Sequence, residues 1–176
     1  MPNSAGLSAT SPAMRILENE HRYLSFLMQE WHTIVLSFEQ DDLPGEEEAR
    51  HRIRELRRLI MEFQIPLAKH TQKEEEHFFP LLGSYIGFEQ GPLVGIQEEH
   101  VEIDGYLGHF LHHTAGDLEL MPLAKMISAV KDAGEAFEIL TVHLVKEEAV
   151  IFPMTETQLS EPDHKRLFSR MNTLIT

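Results

Sequence analysis

The sequence predicts an all-α chain, folded as an up-down antiparallel four-helix bundle with a short fifth C-terminal helix. Three observations predict it. Apolar residues recur with a 3.6-residue period along most of the chain. Proline and glycine cut it into four long segments with short connections, which makes sequential helices antiparallel neighbours. No alternating apolar run is closed by an Asn-Gly or Asp-Gly turn, so strand signals are missing.

Each element has its own signals. Ser11-Pro12 reads as an N-cap followed by proline at the first helical position. The helix it opens carries Ile16, Leu17, Leu24, Leu27, Met28 and Ile34 on one stripe, and residues 40–45 (QDDLPG) turn the chain. A second helix starts near Glu46 and carries Ile53, Leu56, Leu59, Ile60, Phe63 and Leu67. Pro66 is expected to kink it, and Pro80 and Gly83 to end it. Gly91-Pro92 opens a third helix, with Gly116 as its C-cap. Pro122 opens a fourth, expected to end near Phe152-Pro153. Ser160-Glu161-Pro162 then starts the fifth, over Leu167, Met171 and Ile175. Residues 1–11 are small and polar and are expected to form a disordered tail rather than a secretion signal, leaving 12–176 as one domain.

Composition narrows the function. The chain has 176 residues, 42% of them apolar, enough for one substantial core. A net charge of -14, from 29 acidic against 15 basic residues, repels phosphate backbones and anionic membranes. Neither nucleic acid nor membrane is therefore expected as a partner. No stretch has the ~20 consecutive apolar residues of a membrane span. The absence of cysteine excludes thiolate metal sites and thiol nucleophiles, and fits a cytoplasmic location. Eleven histidines are many for this length.

Two segments nearly repeat one another. The second helix holds HTQKEEEHFFP from His70 to Pro80; the fourth holds HLVKEEAVIFP from His143 to Pro153. His, Lys, Glu, Glu, Phe and Pro stand at equal offsets in both. The first and third helices carry Glu20-His21 and Glu99-His100. Residues four apart share a helix face, so His70 with Glu74, and His143 with Glu147, can each reach one point. In a bundle those stripes converge on the core, where His21 and His100 complete the set. Buried carboxylates need cationic partners. Imidazole with carboxylate suits iron, manganese or zinc, and two carboxylates can bridge two metals.

In this doubled pattern, from about Met14 to Ile175, the chain resembles the hemerythrin-like, HHE cation-binding family. The resemblance implies a non-haem di-iron centre with an oxo or hydroxo bridge, binding oxygen or nitric oxide in sensing, storage or iron-centre repair. It implies His21, His70, Glu74, His100, His143 and Glu147 as the metal ligands. Oxygen-carrying members have His-x-x-x-His in the third helix, where this chain has Asp104 four residues after His100. The four-histidine, two-glutamate set is more similar to bacterial di-iron proteins linked to repair of damaged iron centres. The alternative function is a di-iron enzyme activating oxygen or peroxide.

Other residues receive plainer expectations. A ferritin-like Glu-x-x-His pattern occurs at Glu18-His21 and Glu74-His77 but not in the fourth helix, where Val150 stands in the place of His77. His77 is expected near the end of the core on the face of His70, with a contact to a ligand as the lesser option. Asp104 is expected to orient a ligand rather than bind metal. His109 and His113 are expected at the surface, and His32 too far from His21 to share its site. Glu46, Glu47, Glu48, Glu75, Glu76 and Glu148 read as a solvated face, dispensable for metal. Leu17, Leu24, Leu67, Ile96, Ile103, Ile139 and Leu140 should line the centre, suiting a small diatomic ligand. Tyr23 and Tyr106 point away from the histidine stripes, and Tyr85 is expected outside the helices.

Overall fold

The computed structural model describes residues 9–89 and 91–176. Among them all regular structure is helical. In order, α1 is Pro12–Leu36 and α2 is Glu46–Lys73. A π-helical turn, Glu74–Phe78, joins α2 without a break to α3, Phe79–Ile86. Next come α4, Leu93–His113, and α5, Leu123–Lys146. A second π turn, Glu147–Ile151, joins α5 to α6, Phe152–Gln158. The last helix, α7, is Glu161–Met171. Four long rods thus run up and down, α1 packing on α2 and α5, and α4 on α5, while α7 lies across α1 and the first π turn.

The ends of the rods differ from the sequence-based expectation. Pro80 and Pro153 do not end their helices, because each sits in the first turn after a π turn, where a missing N–H is tolerated. The second rod stops instead at Gly87, whose φ of +83° suits glycine, and Tyr85 lies within α3. Gly83 leaves room for the Phe88 ring, which a Cβ would meet at 2.3 Å. Thr114, not Gly116, caps α4, its hydroxyl donating to the Phe110 carbonyl. Helix α2 runs continuously through Pro66. Ser11 is the N-cap of α1 without a side-chain cap bond, whereas Ser160 Oγ accepts from the Asp163 N–H. Of the expected tail, residues 1–8 lie outside the described residues. Thr10 and Ser11 donate backbone N–H bonds to Glu156.

Two apolar clusters form the core. The larger fills the end near the α1–α2 and α4–α5 connections, around the fully buried Trp31, which Phe63 and Phe137 flank. The smaller gathers Met14, Leu17, Phe78, Phe79, Leu82 and Phe152 at the other end. Each candidate histidine falls between them. His21 lies between Leu17 and Leu24, His70 between Leu67 and Phe78, His100 between Ile96 and Ile103, and His143 between Leu140 and Ile151. A polar layer is thereby sealed by apolar side chains above and below.

Candidate metal centre

The six residues singled out by the repeat meet in this layer. Glu74 and Glu147 are fully buried, and the four histidines nearly so. Glu74 Oε1 lies 3.0 Å from His70 Nε2, and its Oε2 lies 3.3 Å from His100 Nε2. Glu147 repeats the arrangement, with Oε2 2.9 Å from His21 Nε2 and Oε1 3.2 Å from His143 Nε2. Each carboxylate thus turns one oxygen to each side. The ligand atoms form two sets, His21-His70-Glu74-Glu147 and Glu74-His100-His143-Glu147, each with its atoms within 4.8 Å of one another. Both glutamates belong to both sets, as bridges between two cations would.

The donor chemistry fits cations. Both oxygens of Glu74 and Glu147 and Nε2 of His21 and His70 are buried, meet only the other groups of this cluster and make no aligned hydrogen bond, and His70 Nδ1 makes none either. His100 Nε2 and His143 Nε2 converge to 3.1 Å. Buried ionic groups cost several kcal/mol each unless compensated, and a cation in each set would compensate them. Without a cation, protons do so. Burial opposes a charge on His70, but Glu74 and Glu20 outweigh it and hold its pKa up at about 10. Burial likewise opposes a charge on His100, which Glu74 and Glu75 raise to about 9. Burial would raise the Glu74 carboxyl, yet His70 and His100 hold it well below the usual range.

The π turns start at the two shared glutamates. In each, an N–H bonds five residues back, Phe79 to the Glu74 carbonyl and Phe152 to that of Glu147. Pro80 has no N–H for the Glu76 carbonyl and Pro153 none for that of Ala149, and a proline ring presses on that carbonyl in a regular helix. The wider turn just before each proline relieves that contact. It also moves the buried stripe on by one residue, so that Phe78, Phe79 and Leu82 face inward, as do Ile151, Phe152 and Thr155. His77 is consequently turned into a surface groove beside Arg166 and Arg170, not onto the His70 face as expected.

Outer carboxylates face all four imidazoles at Nδ1, and three of them accept its hydrogen bond. Glu148 accepts from His21 at 3.0 Å, Glu75 from His100 at 2.7 Å and Glu99 from His143 at 2.9 Å. Glu20 stands 3.7 Å from His70 Nδ1. Each helix thus supplies a carboxylate to the next helix's histidine, and the last returns to the first. Such partners fix the tautomer that leaves Nε2 free for a metal. The expectation of a wholly solvated face for Glu75 and Glu148 is therefore corrected. They are half-buried and engaged, because the second glutamate of each Glu-Glu pair falls on the flank facing the neighbouring helix, while Glu46, Glu47, Glu48 and Glu76 are exposed. The adjacent Glu-His pairs and the doubled Glu-Glu pairs were the sequence signal for this ring.

Asp104 is not among the converging ligand atoms. It sits at the edge of a small cavity of about 10 Å³ lined also by Leu67, His70, His100, Ile103 and His143. His109, His112 and His113 are exposed. His32 stacks on Phe137 at 3.4 Å, away from the centre. Tyr85 donates to Asp163 across to α7.

No curated protein and no solved structure matches the chain. A family model does: the hemerythrin HHE cation-binding domain matches residues 12–155, which span all four rods and all six converging residues. The chain belongs to the hemerythrin HHE cation-binding domain family.

Proposed function

We propose that this protein holds two iron ions, ligated by His21, His70, Glu74, His100, His143 and Glu147, and binds oxygen or nitric oxide there. The observation carrying this reading is that Glu74 and Glu147 each divide their two oxygens between two histidine pairs. A single-metal site would not need that division. Iron is favoured over zinc or manganese by the family, since the imidazole and carboxylate donors suit all three. When bound, iron supplies an open coordination position for a diatomic ligand.

The chain's own residues shape what reaches it. The cavity beside His70, His100 and His143 has about 10 Å³, on the scale of a single water-sized molecule. Apart from Thr71 and Asp104 its remaining walls are Leu67, Ile103, Leu140 and Leu144, which offer an organic substrate little to orient it. This supports binding in sensing, storage or iron-centre repair over substrate oxidation, and a cytoplasmic setting suits each of these roles. The test is an anaerobic titration of the diferrous protein with nitric oxide and with oxygen, followed by its optical spectrum. A stable adduct and slow decay to the diferric form are expected. Rapid multi-turnover oxidation or peroxide consumption that requires His143 and Glu147 would establish the enzyme reading instead.

A further inference from the structure

Two lysines occupy matching places in the repeat, yet their surroundings differ. Lys146 Nζ donates to Glu99, which holds His143. Lys73 Nζ donates to both oxygens of Glu20, at 2.8 and 3.2 Å, and Glu20 faces His70. The Lys146 side chain is 50% exposed; that of Lys73 is 6% exposed. The chain after α7 makes the difference. The backbone carbonyl of Met171 accepts from Lys73 at 2.9 Å, and that of Thr173 accepts as well. Ile175 then packs into the larger apolar cluster, and Lys69 reaches the carbonyl of Thr176. An ammonium this buried is tolerated because its N–H groups are met by one carboxylate and two carbonyls.

We infer that Lys73 is a positioning residue for the His21-His70 half of the centre, and that residues 171–176 are its clamp. Lys73 holds Glu20 in place, and Glu20 sets the orientation of His70. Remove the lysine, and Glu20 is a buried carboxylate without its cation. It then turns into the open groove that it lines with Tyr23 and Asn172, and His70 Nδ1 loses the carboxylate that faces it at 3.7 Å. The equivalent pair on the other half is wet, so Glu99 without Lys146 keeps water as a partner and stays beside His143. One half of the centre thus depends on the docked C-terminal segment, and the other does not.

The inference rests on the metal-centre reading, and one experiment separates the two. Iron-loaded wild-type protein, K73M, K146M, E20Q and the K73M/E20Q double variant are mixed with a chelator, and metal release and the optical spectrum are followed. A wild-type protein that binds no metal overturns the metal-centre reading, and this inference with it. With metal bound, K73M should release one ion about tenfold faster than wild type, in the range for outer partners of metal ligands, and K146M far less. K73M should add nothing in the E20Q background, because the lysine acts through Glu20. Equal rates in K73M and K146M, release no faster than wild type, or additive effects of K73M and E20Q would overturn the inference. Should K73M fail to fold, Ile175→Ser in the full chain carries the same test. It loosens the docking of residues 171–176 and should speed release from one half only, and wild-type release from it would overturn the clamp.

Discussion

Stripping the metal should destabilise the fold, and the size of the effect can be worked out. Without metal, the Glu74 and Glu147 carboxylates stay buried against the imidazole nitrogens, with protons in place of cations. From the binding side, an ion present at 100 times its dissociation constant contributes about 2.7 kcal/mol, so two contribute about 5 kcal/mol. In a chain of 176 residues, each kcal/mol moves the melting temperature by about 2–4 °C. Loss of both ions should therefore lower it by roughly 10–20 °C. Circular dichroism melts of iron-loaded and chelator-treated protein, with metal content verified in each, measure this. An unchanged melting temperature after verified removal would refute a buried centre that takes cations as partners.

Four further outcomes follow from the same geometry. Glu74→Ala or Glu147→Ala should lose both ions rather than one, as each glutamate serves both sets; metal analysis that finds one ion retained would contradict the shared role. Glu75→Ala and Glu148→Ala should still bind metal but about 10–100-fold more weakly, as expected for outer partners of ligating histidines, and wild-type affinity would show their bonds to be idle. The metal-free protein should lose stability as pH rises. His70 and His100 have folded pKa values raised to about 10 and about 9. Their contribution is complete below the ordinary 6.5 and is lost as pH climbs through 9 and 10. Melts of the metal-free protein that are flat over that interval would refute the proton-filled centre. Asp104→Asn should keep its full iron content, and its loss would make Asp104 a ligand.

Much of this was legible in the sequence, for physical reasons that differ by element. The rods were legible because a 3.6-residue apolar period runs through each, and the six converging residues because the offset of four in His70-Glu74 and His143-Glu147 places both on one face. The π turns were not. A five-residue hydrogen bond has no periodicity of its own, and Pro80 and Pro153 read locally as stops. That one shift misplaced His77 and hid the continuation into α3 and α6. The outer ring was missed for another reason. Glu75 and Glu148 lie off the core stripe and look solvated until the neighbouring helix is in place, and the distance from Glu148 to His21 spans most of the chain. Lys73 was concealed similarly, since its partners at Met171 and Thr173 belong to the segment after α7.

Sharing of Glu74 and Glu147 by two metal ions is tested by iron and chain concentration measured on the same iron-loaded sample, with Mössbauer spectra of that sample. Two irons per chain are expected, one for each converging set, with magnetic coupling between them through their shared ligands. One iron per chain, or two that are magnetically independent, would contradict it.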